Sequence, residues 1–268
     1  MIYILSIVLY LVNQITEKVM KFGVADFGMN VWEGGMYDVE SRLIALKELG
    51  YNGTERLEVC SPAEAVIKSA MYKKLGMDFT TCRGPNVQVG IEWTAGLGKE
   101  YVWLTPGQND REVDFDIFCR RANTMCKATA RYGIKAAIHN HMHQRVENQQ
   151  EFEDFMKAVP EAGVVFDTGH LSMAGGDPVE IIHKYHERIC VVHLKDVFLT
   201  GETREDGIAG YRFCELGAGN NGYDNADAVK ALLEVGYDGW IFIEHDCHLR
   251  EPLEDLKVSI DYVKNAMS

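Results

Sequence analysis

Three short apolar runs of the sequence end in residues that can bind metal ions or transfer protons. Val-Val-Phe precedes Asp167, and His170 follows three residues later. Val-Val precedes His193 and Lys195, and Trp-Ile-Phe-Ile precedes Glu244. Because the carboxyl ends of buried parallel strands meet at one rim of a barrel, we expect these side chains to converge. Carboxylates and imidazoles that converge there could form a divalent metal site.

A fourth run, Ala-Ala-Ile, ends in a segment rich in histidine. His139, His141 and His143 alternate along it, and Glu147 lies in the following loop. Alternate residues of a strand share a face, so the imidazoles should point to the same rim. A single Asp at a strand end is often only a helix cap, and a single His is often a core residue. An unpaired, buried Glu244 would be too costly to be incidental, and four clusters together indicate a functional site.

Eight strand-like runs alternate with amphipathic helices after Met20 and would position these clusters. The predicted strands are 21–27, 53–59, 78–82, 101–105, 135–141, 164–167, 189–195 and 240–244. This order over about 250 residues is typical of a single-domain (β/α)8 TIM barrel, with an open doubly wound sheet as the competing fold. The long link 197–223 is predicted to be an irregular lid or binding loop at the rim.

The composition limits the classes of partner. The 268 residues carry a net charge of −13 and 47% hydrophobic residues, which argues against binding to nucleic acid or an anionic membrane. Seven cysteines without paired metal spacing are typical of reduced thiols in a cytoplasmic protein. We therefore expect a cytoplasmic protein with a small-molecule partner, and leave a homo-oligomer open.

Residues 1–19 are predicted to be an extension outside the barrel, which then spans 20–268. The apolar stretch from Ile2 to Val12 is shorter than the roughly 18 residues that span a bilayer. No Lys or Arg precedes it, and no small-residue cleavage site follows. A non-functional or mis-assigned extension is the expectation, and a weak anchor or cryptic signal is the alternative.

Five motifs together resemble the xylose isomerase-like TIM barrels, the sugar phosphate isomerase/epimerase superfamily. They are Asp167-Thr-Gly-His170, Ala174-Gly-Gly-Asp177-Pro178, His193-Leu-Lys195-Asp196, Leu216-Gly-Ala-Gly219 and Gly236-Tyr-Asp-Gly-Trp240-Ile-Phe-Ile-Glu244. The resemblance covers Met20 to Met267, and His139-Asn-His141 followed by Glu147 resembles the inosose dehydratase-like branch. It implies a TIM barrel that acts on a small sugar or cyclitol.

The resemblance also implies one divalent metal ion, held by residues from strands five to eight. The implied ligands are Glu147, Asp167, His193 and Glu244. Epimerases of the superfamily have a Glu in strand five where this chain has His139, so His139 or His141 could replace Glu147. Mn²⁺ is the expected ion, with Co²⁺ or Mg²⁺ as alternatives.

The implied reaction begins with removal of the proton α to a carbonyl, which gives a metal-stabilised enediolate. Returning the proton elsewhere makes the enzyme an isomerase or epimerase. Expelling a β-group makes it an inosose dehydratase-like or 3-keto-glycoside-cleaving lyase. The candidate catalytic residues are His141, the first choice for the base, His170, Lys195 and Glu244. The candidates for substrate binding are His139, Arg56, Arg83 and Trp32. Surface pairing of the two arginines and core packing of Trp32 are the alternatives.

Two other classes of function compete with a metal-dependent sugar enzyme. A non-catalytic sugar-binding subunit would not need several carboxylates at one point. An endonuclease IV-like nuclease would need a three-metal cluster and a basic face for DNA, which a net charge of −13 argues against.

Overall fold

Eight parallel strands form a nearly closed barrel in the computed structural model, which describes residues 20–25, 38–107, 111–203, 209–248 and 250–268. The barrel strands are β1 (Lys21–Val24), β2 (Gly53–Glu58), β3 (Asp78–Arg83), β4 (Tyr101–Trp103), β5 (Lys135–His139), β6 (Gly163–Asp167), β7 (Ile189–Leu194) and, after the hairpin described below, β10 (Trp240–Ile243). Their order is β3-β2-β1-β10-β7-β6-β5-β4. The hydroxyls of Thr80 and Tyr101, 3.0 Å apart, bridge the seam between β3 and β4. The predicted (β/α)8 barrel is confirmed.

The helices lie between the strands and begin and end at capping residues. They are α1 (Val39–Leu49), α2 (Pro62–Leu75), α3 (Val87–Gly96), α4 (Phe115–Ala130), α5 (Gln149–Ala158), α6 (Thr168–Met173), α7 (Pro178–Tyr185), α8 (Asn225–Glu234) and α9 (Pro252–Ala266), with a 3-10 turn at His186–Arg188. Asp177 shows the pattern, since its carboxylate accepts from two amides at the start of α7. In the part of the chain that is described, no helix has the length and apolarity needed to cross a bilayer. The predicted extension at 1–19 and Trp32 lie outside the described residues.

The link after β7 is a hairpin where the sequence predicted an irregular loop. Strands β8 (Asp196–Thr203) and β9 (Ala209–Cys214) pair antiparallel. The apolar run Val-Phe-Leu of β8 pairs with the Tyr-Arg-Phe part of β9, and the guanidinium of Arg212 lies 4.4 Å from the ring centroid of Phe198. The many Gly, Asp and Glu residues nearby made the link resemble an irregular loop. The hairpin begins directly beside the rim and brings an aromatic side chain, Phe213, over it.

Asp196 fastens this hairpin to the barrel. Its carboxylate accepts hydrogen bonds from the amides of Val197 at 2.8 Å, Gly217 at 2.8 Å and Gly219 at 3.2 Å. A Cβ atom at Gly219 would lie 1.9 Å from the carboxylate, so only glycine allows this approach. One buried side chain therefore holds both the start of β8 and the loop after β9.

We expect Asp196→Ala to lower the free energy of unfolding by about 1–3 kcal/mol, because it leaves one buried and two partly buried amides without their acceptor. Asp227→Ala is the matched control, since Asp227 forms an exposed pair with Lys230, and its loss should stay below about 0.5 kcal/mol. Urea unfolding followed by circular dichroism measures both. Equal losses in the two variants would contradict the role of Asp196.

Candidate metal centre

A layer of apolar side chains fills the inside of the barrel, and the candidate site lies directly above this layer at the carboxyl-terminal ends of the strands. Side chains of that layer include Ala137, Val165, Val191 and Phe242. Two positions further along the same strands stand His139, Asp167, His193 and Glu244. Because alternate residues of a strand point to the same face, the pattern that buries the apolar layer also brings the four polar groups to the carboxyl-terminal rim.

The four polar side chains form one buried cluster of metal-ligand type. Each offers one ligand atom, and these atoms lie within 4.8 Å of one another. Nδ1 of His193 is 2.9 Å from Oε2 of Glu244, and Nε2 of His139 is 3.6 Å from Oδ2 of Asp167. The cluster therefore presents two imidazoles and two carboxylates to one small volume.

Asp167 is both a helix cap and a member of the cluster. Its Oδ1 accepts from the amide of His170 at 2.8 Å and so starts α6. The side chain of Asn140 pairs with the backbone N–H and C=O of Asp167 at 2.9 and 2.8 Å, which fixes the end of β6. The two carboxylate oxygens thus have separate roles, and Oδ2 is left to face the cluster.

The residues of the cluster fit a divalent cation. Oδ2 of Asp167 and Nε2 of His139 are buried, and neither has a hydrogen-bond partner among the described residues. Leaving such an atom unsatisfied costs about 1–3 kcal/mol, and more where it is charged. A cation between them would satisfy both, since carboxylate oxygens and imidazole nitrogens are its ordinary ligands.

Glu147, the first choice for the strand-five ligand, does not join this cluster. Its carboxylate lies 2.5 Å from the guanidinium of Arg111 and accepts from the amide of His143 at 3.0 Å. His139 occupies the corresponding place, as the stated alternative expected. Strand β5 also ends at His139, two residues earlier than predicted, so His141 belongs to the following turn and not to the strand.

His141 and His170 lie against each other at the edge of the cluster. Their ring centroids are 3.7 Å apart. Nδ1 of His141 is 2.6 Å from the carbonyl oxygen of Met142. A carbonyl can only accept, so Nδ1 carries a proton, and in the neutral ring the lone pair of His141 is on Nε2. His170 is deeply buried, and burial lowers its pKa well below the usual value.

Lys195 connects the cluster to His170 and Asp246. Its ammonium lies 3.2 Å from Glu244, 3.1 Å from Asp246 and 3.0 Å from Nε2 of His170. An ammonium has no acceptor, so it donates to His170 and occupies that lone pair. Burial opposes the charge, but Glu244, Asp167 and Asp246 outweigh burial and raise the pKa of Lys195. Lys195 is therefore charged at neutral pH and acts as a hydrogen-bond donor.

The carboxylates and His193 hold opposite charges in the metal-free protein. Burial opposes ionisation, but Lys195 and His193 lower the pKa of Glu244 well below its usual value. Against burial, Glu55 and Glu244 raise the pKa of His193 to about 10. A metal-binding imidazole must lose that proton, so metal and proton compete for His193.

Sequence reasoning missed Glu55, a fully buried carboxylate on β2. Its Oε2 is 3.1 Å from Nε2 of His193, and its Oε1 accepts from Trp103 at 2.7 Å and Tyr101 at 3.0 Å. A charged residue in the middle of a predicted buried strand was the signal that could have identified it. The neighbouring Arg56 was predicted as a site residue instead.

The predicted substrate-binding residues do not share one place. His139 lies in the cluster, whereas Arg56 stacks on Trp103 with 4.2 Å between its guanidinium carbon and the ring centroid. Arg83 forms an exposed ion pair with Glu58 at 3.2 Å. Arg56 and Arg83 nevertheless line the same pocket beside Trp103.

Comparisons with known proteins agree with this barrel. A family model described as "Xylose isomerase-like TIM barrel" matches residues 86–266. An inosose dehydratase of Clostridium botulinum is 31% identical over 167 residues, which is 59% of this chain and 56% of the relative. The chain thus spans little more than half the length of this relative.

Two solved structures share the fold at low sequence identity. The structure of L-ribulose 3-epimerase superposes with a TM-score of 0.72 and 12% identity, covering 93% of this chain and 95% of that one. The IOLI protein, solved with a bound zinc atom, superposes with a TM-score of 0.67 and 15% identity, covering 93% and 100%. These similarities show the fold alone.

Proposed function

The chain belongs to the xylose isomerase-like TIM barrel family, and we propose that it is a metal-dependent enzyme that removes the proton α to the carbonyl of a small keto-sugar or cyclitol. The observation that carries this proposal is the buried cluster of His139, Asp167, His193 and Glu244, whose ligand atoms converge within 4.8 Å. Buried polar atoms without hydrogen-bond partners destabilise the fold, and a purely structural role of the cluster does not account for them.

His139, Asp167, His193 and Glu244 would hold the ion in this proposal. When bound, a divalent ion would polarise the substrate carbonyl and stabilise the negative charge that develops on its oxygen. Two imidazoles among the ligands disfavour Mg²⁺, which prefers oxygen ligands. Mn²⁺ remains the first choice, with Co²⁺ as the alternative.

His141 is the proposed base. Because Met142 fixes the proton on Nδ1, the lone pair of Nε2 is available to accept a proton from the substrate. His141 is partly exposed, so a substrate at the rim can reach it. His170 is the weaker candidate, since Lys195 already occupies its Nε2.

Lys195 is proposed to bind a substrate hydroxyl. The ammonium stands between Glu244 and Asp246, beside the cluster. Phe213 of the hairpin covers it, with 4.5 Å from the nitrogen to the ring centroid. A charged donor in such a sheltered place can hold a hydroxyl in position and stabilise the negative charge that develops when that hydroxyl leaves.

Dehydration is the outcome that we favour over isomerisation. The curated relative that matches at 31% identity is an inosose dehydratase, whereas the epimerase matches at 12% identity and bears only on the fold. Elimination of water also needs a base and a donor that holds the leaving hydroxyl, and His141 and Lys195 are proposed for these two roles. Epimerisation remains the second candidate, because it begins with the same proton abstraction.

A screen of keto-sugars and inososes with Mn²⁺ in D₂O tests this proposal. A substrate that is turned over should acquire solvent deuterium at the abstracted carbon or in the product, as seen by NMR. Loss of water identifies a dehydratase, and retention of all atoms identifies an epimerase or isomerase. Turnover with complete retention of the substrate's α-deuterium in light water would contradict proton abstraction to an exchangeable base.

A further inference from the structure

We infer that Glu55 is a positioning residue that fixes the imidazole of His193 for metal binding, an inference that rests on the proposed metal site. Glu55 lies on β2, on a different strand from the four proposed ligands, and its side chain is completely buried. A carboxylate in such a place is strongly disfavoured unless donors or cations surround it. Glu55 faces donors on both of its oxygens.

The ring of His193 has two distinct sides. Nδ1 faces the cluster, 2.9 Å from Oε2 of Glu244 and 3.9 Å from Oδ2 of Asp167. Nε2 faces away from those carboxylates and lies 3.1 Å from Oε2 of Glu55. Neither Nε2 of His193 nor Oε2 of Glu55 has a hydrogen-bond partner among the described residues, so their 3.1 Å contact is an ion pair and not an aligned hydrogen bond. Each is nevertheless the polar atom beside the other that a small rotation of the imidazole would satisfy.

This arrangement determines which nitrogen can bind a metal ion. A carboxylate beside Nε2 keeps a proton on that nitrogen, so the lone pair of the neutral ring is on Nδ1. Nδ1 is the atom that points into the cluster. Carboxylates that accept from the second nitrogen of a metal-binding histidine both orient the ring and make it a better ligand.

Glu55 is itself held by the wall of the barrel. Trp103 donates to its Oε1 at 2.7 Å and Tyr101 at 3.0 Å, so Oε2 is left for His193. The hydroxyl of Tyr101 also lies 3.0 Å from that of Thr80. The seam of the barrel is thereby connected through Glu55 to His193.

Glu55→Gln tests the inference with little change in volume. The amide group of a glutamine has two possible orientations. Its NH₂ group faces either Nε2 of His193 or the N–H and O–H donors of Trp103 and Tyr101. Both arrangements remove one favourable contact, and the first moves the histidine proton to Nδ1. We expect Glu55→Gln to bind Mn²⁺ roughly 10–100-fold more weakly than the wild type, as measured by titration calorimetry.

Tyr101→Phe is the matched control, because it removes one donor to Oε1 and leaves Oε2 in place. It should weaken Mn²⁺ binding by less than roughly tenfold. The wild-type protein loaded with Zn²⁺ and labelled with ¹⁵N-histidine gives a second measurement that does not depend on folding of a variant. The spectrum should show His193 protonated on Nε2 and metal-bound through Nδ1.

The two proposals can fail separately. If the wild type binds metal and Glu55→Gln binds it equally well, only the positioning role of Glu55 is wrong. Metal bound through Nε2 of His193 would also overturn that role, since the ion would then lie on the side of Glu55. If the wild type binds no divalent metal, the proposed metal site is wrong and the inference falls with it.

Discussion

The Asp167→Asn variant should bind Mn²⁺ at least roughly 100-fold more weakly than the wild type, since even outer contacts of metal ligands are worth 10–100-fold. Oδ1 of Asp167 caps α6, whereas Oδ2 faces the cluster. Asparagine is an equally good helix cap, so the substitution keeps the cap and removes the negative charge. Calorimetric titration with Mn²⁺ and elemental analysis after desalting measure the loss.

Asp177→Asn is the matched control for this substitution. Asp177 also caps a helix, through its contacts with the amides of Val179 and Glu180, but it lies outside the cluster. Its variant should bind Mn²⁺ like the wild type. If the control and Asp167→Asn retain the same amount of metal, the cluster is not the metal site.

Metal should also stabilise the wild type and not Asp167→Asn. Excess ligand at 100 times its Kd adds about 2.7 kcal/mol to the free energy of unfolding, which a thermal melt detects. The effect should grow as the pH rises from 6 toward 10, the range below the raised pKa of His193. The sign follows from His193, whose pKa is raised to about 10 without metal, so that each bound ion must displace a proton.

The strand-end residues could be predicted because each strand of a parallel barrel is marked by a pattern of only a few consecutive residues. Each run of apolar residues sets the phase of a strand, and the phase places Asp167, His193 and Glu244 at the rim. No long-range information is needed for that step. The fourth member of the cluster was harder to predict, since the choice between His139 and Glu147 depends on where Arg111 lies, and Arg111 is far from both in sequence.

The role of Glu55 and the hairpin could not be predicted from the sequence, because both depend on contacts between residues that are distant in the chain. The importance of Glu55 comes from His193, Trp103 and Tyr101, which are brought to it only by closure of the barrel. The hairpin is fastened by Asp196, whose carboxylate accepts a hydrogen bond from the amide of Gly217, more than 20 residues further along the chain. Tertiary contacts of this kind decide orientation and pairing, which local periodicity does not encode.

His141→Ala should lower kcat by roughly 10²–10⁴-fold on any substrate that the wild type turns over, which is the usual loss when a general base is removed. The carbonyl of Met142 keeps the proton on Nδ1 of His141, so its Nε2 is ready to accept the α proton. His141 is outside the proposed ligand set. Metal content should therefore equal that of the wild type, and incorporation of solvent deuterium should slow in parallel with turnover.

His143→Asn is the matched control for this variant. His143 is an exposed neighbour in the same turn and has a positive φ of 65°, a conformation that asparagine tolerates well. Its variant should keep kcat within a few-fold of the wild type. His170→Ala separates the two imidazoles: if His170 were the base, its loss would abolish deuterium incorporation while His141→Ala stayed active. That result would identify the buried His170, which Lys195 contacts, as the base in place of the partly exposed His141.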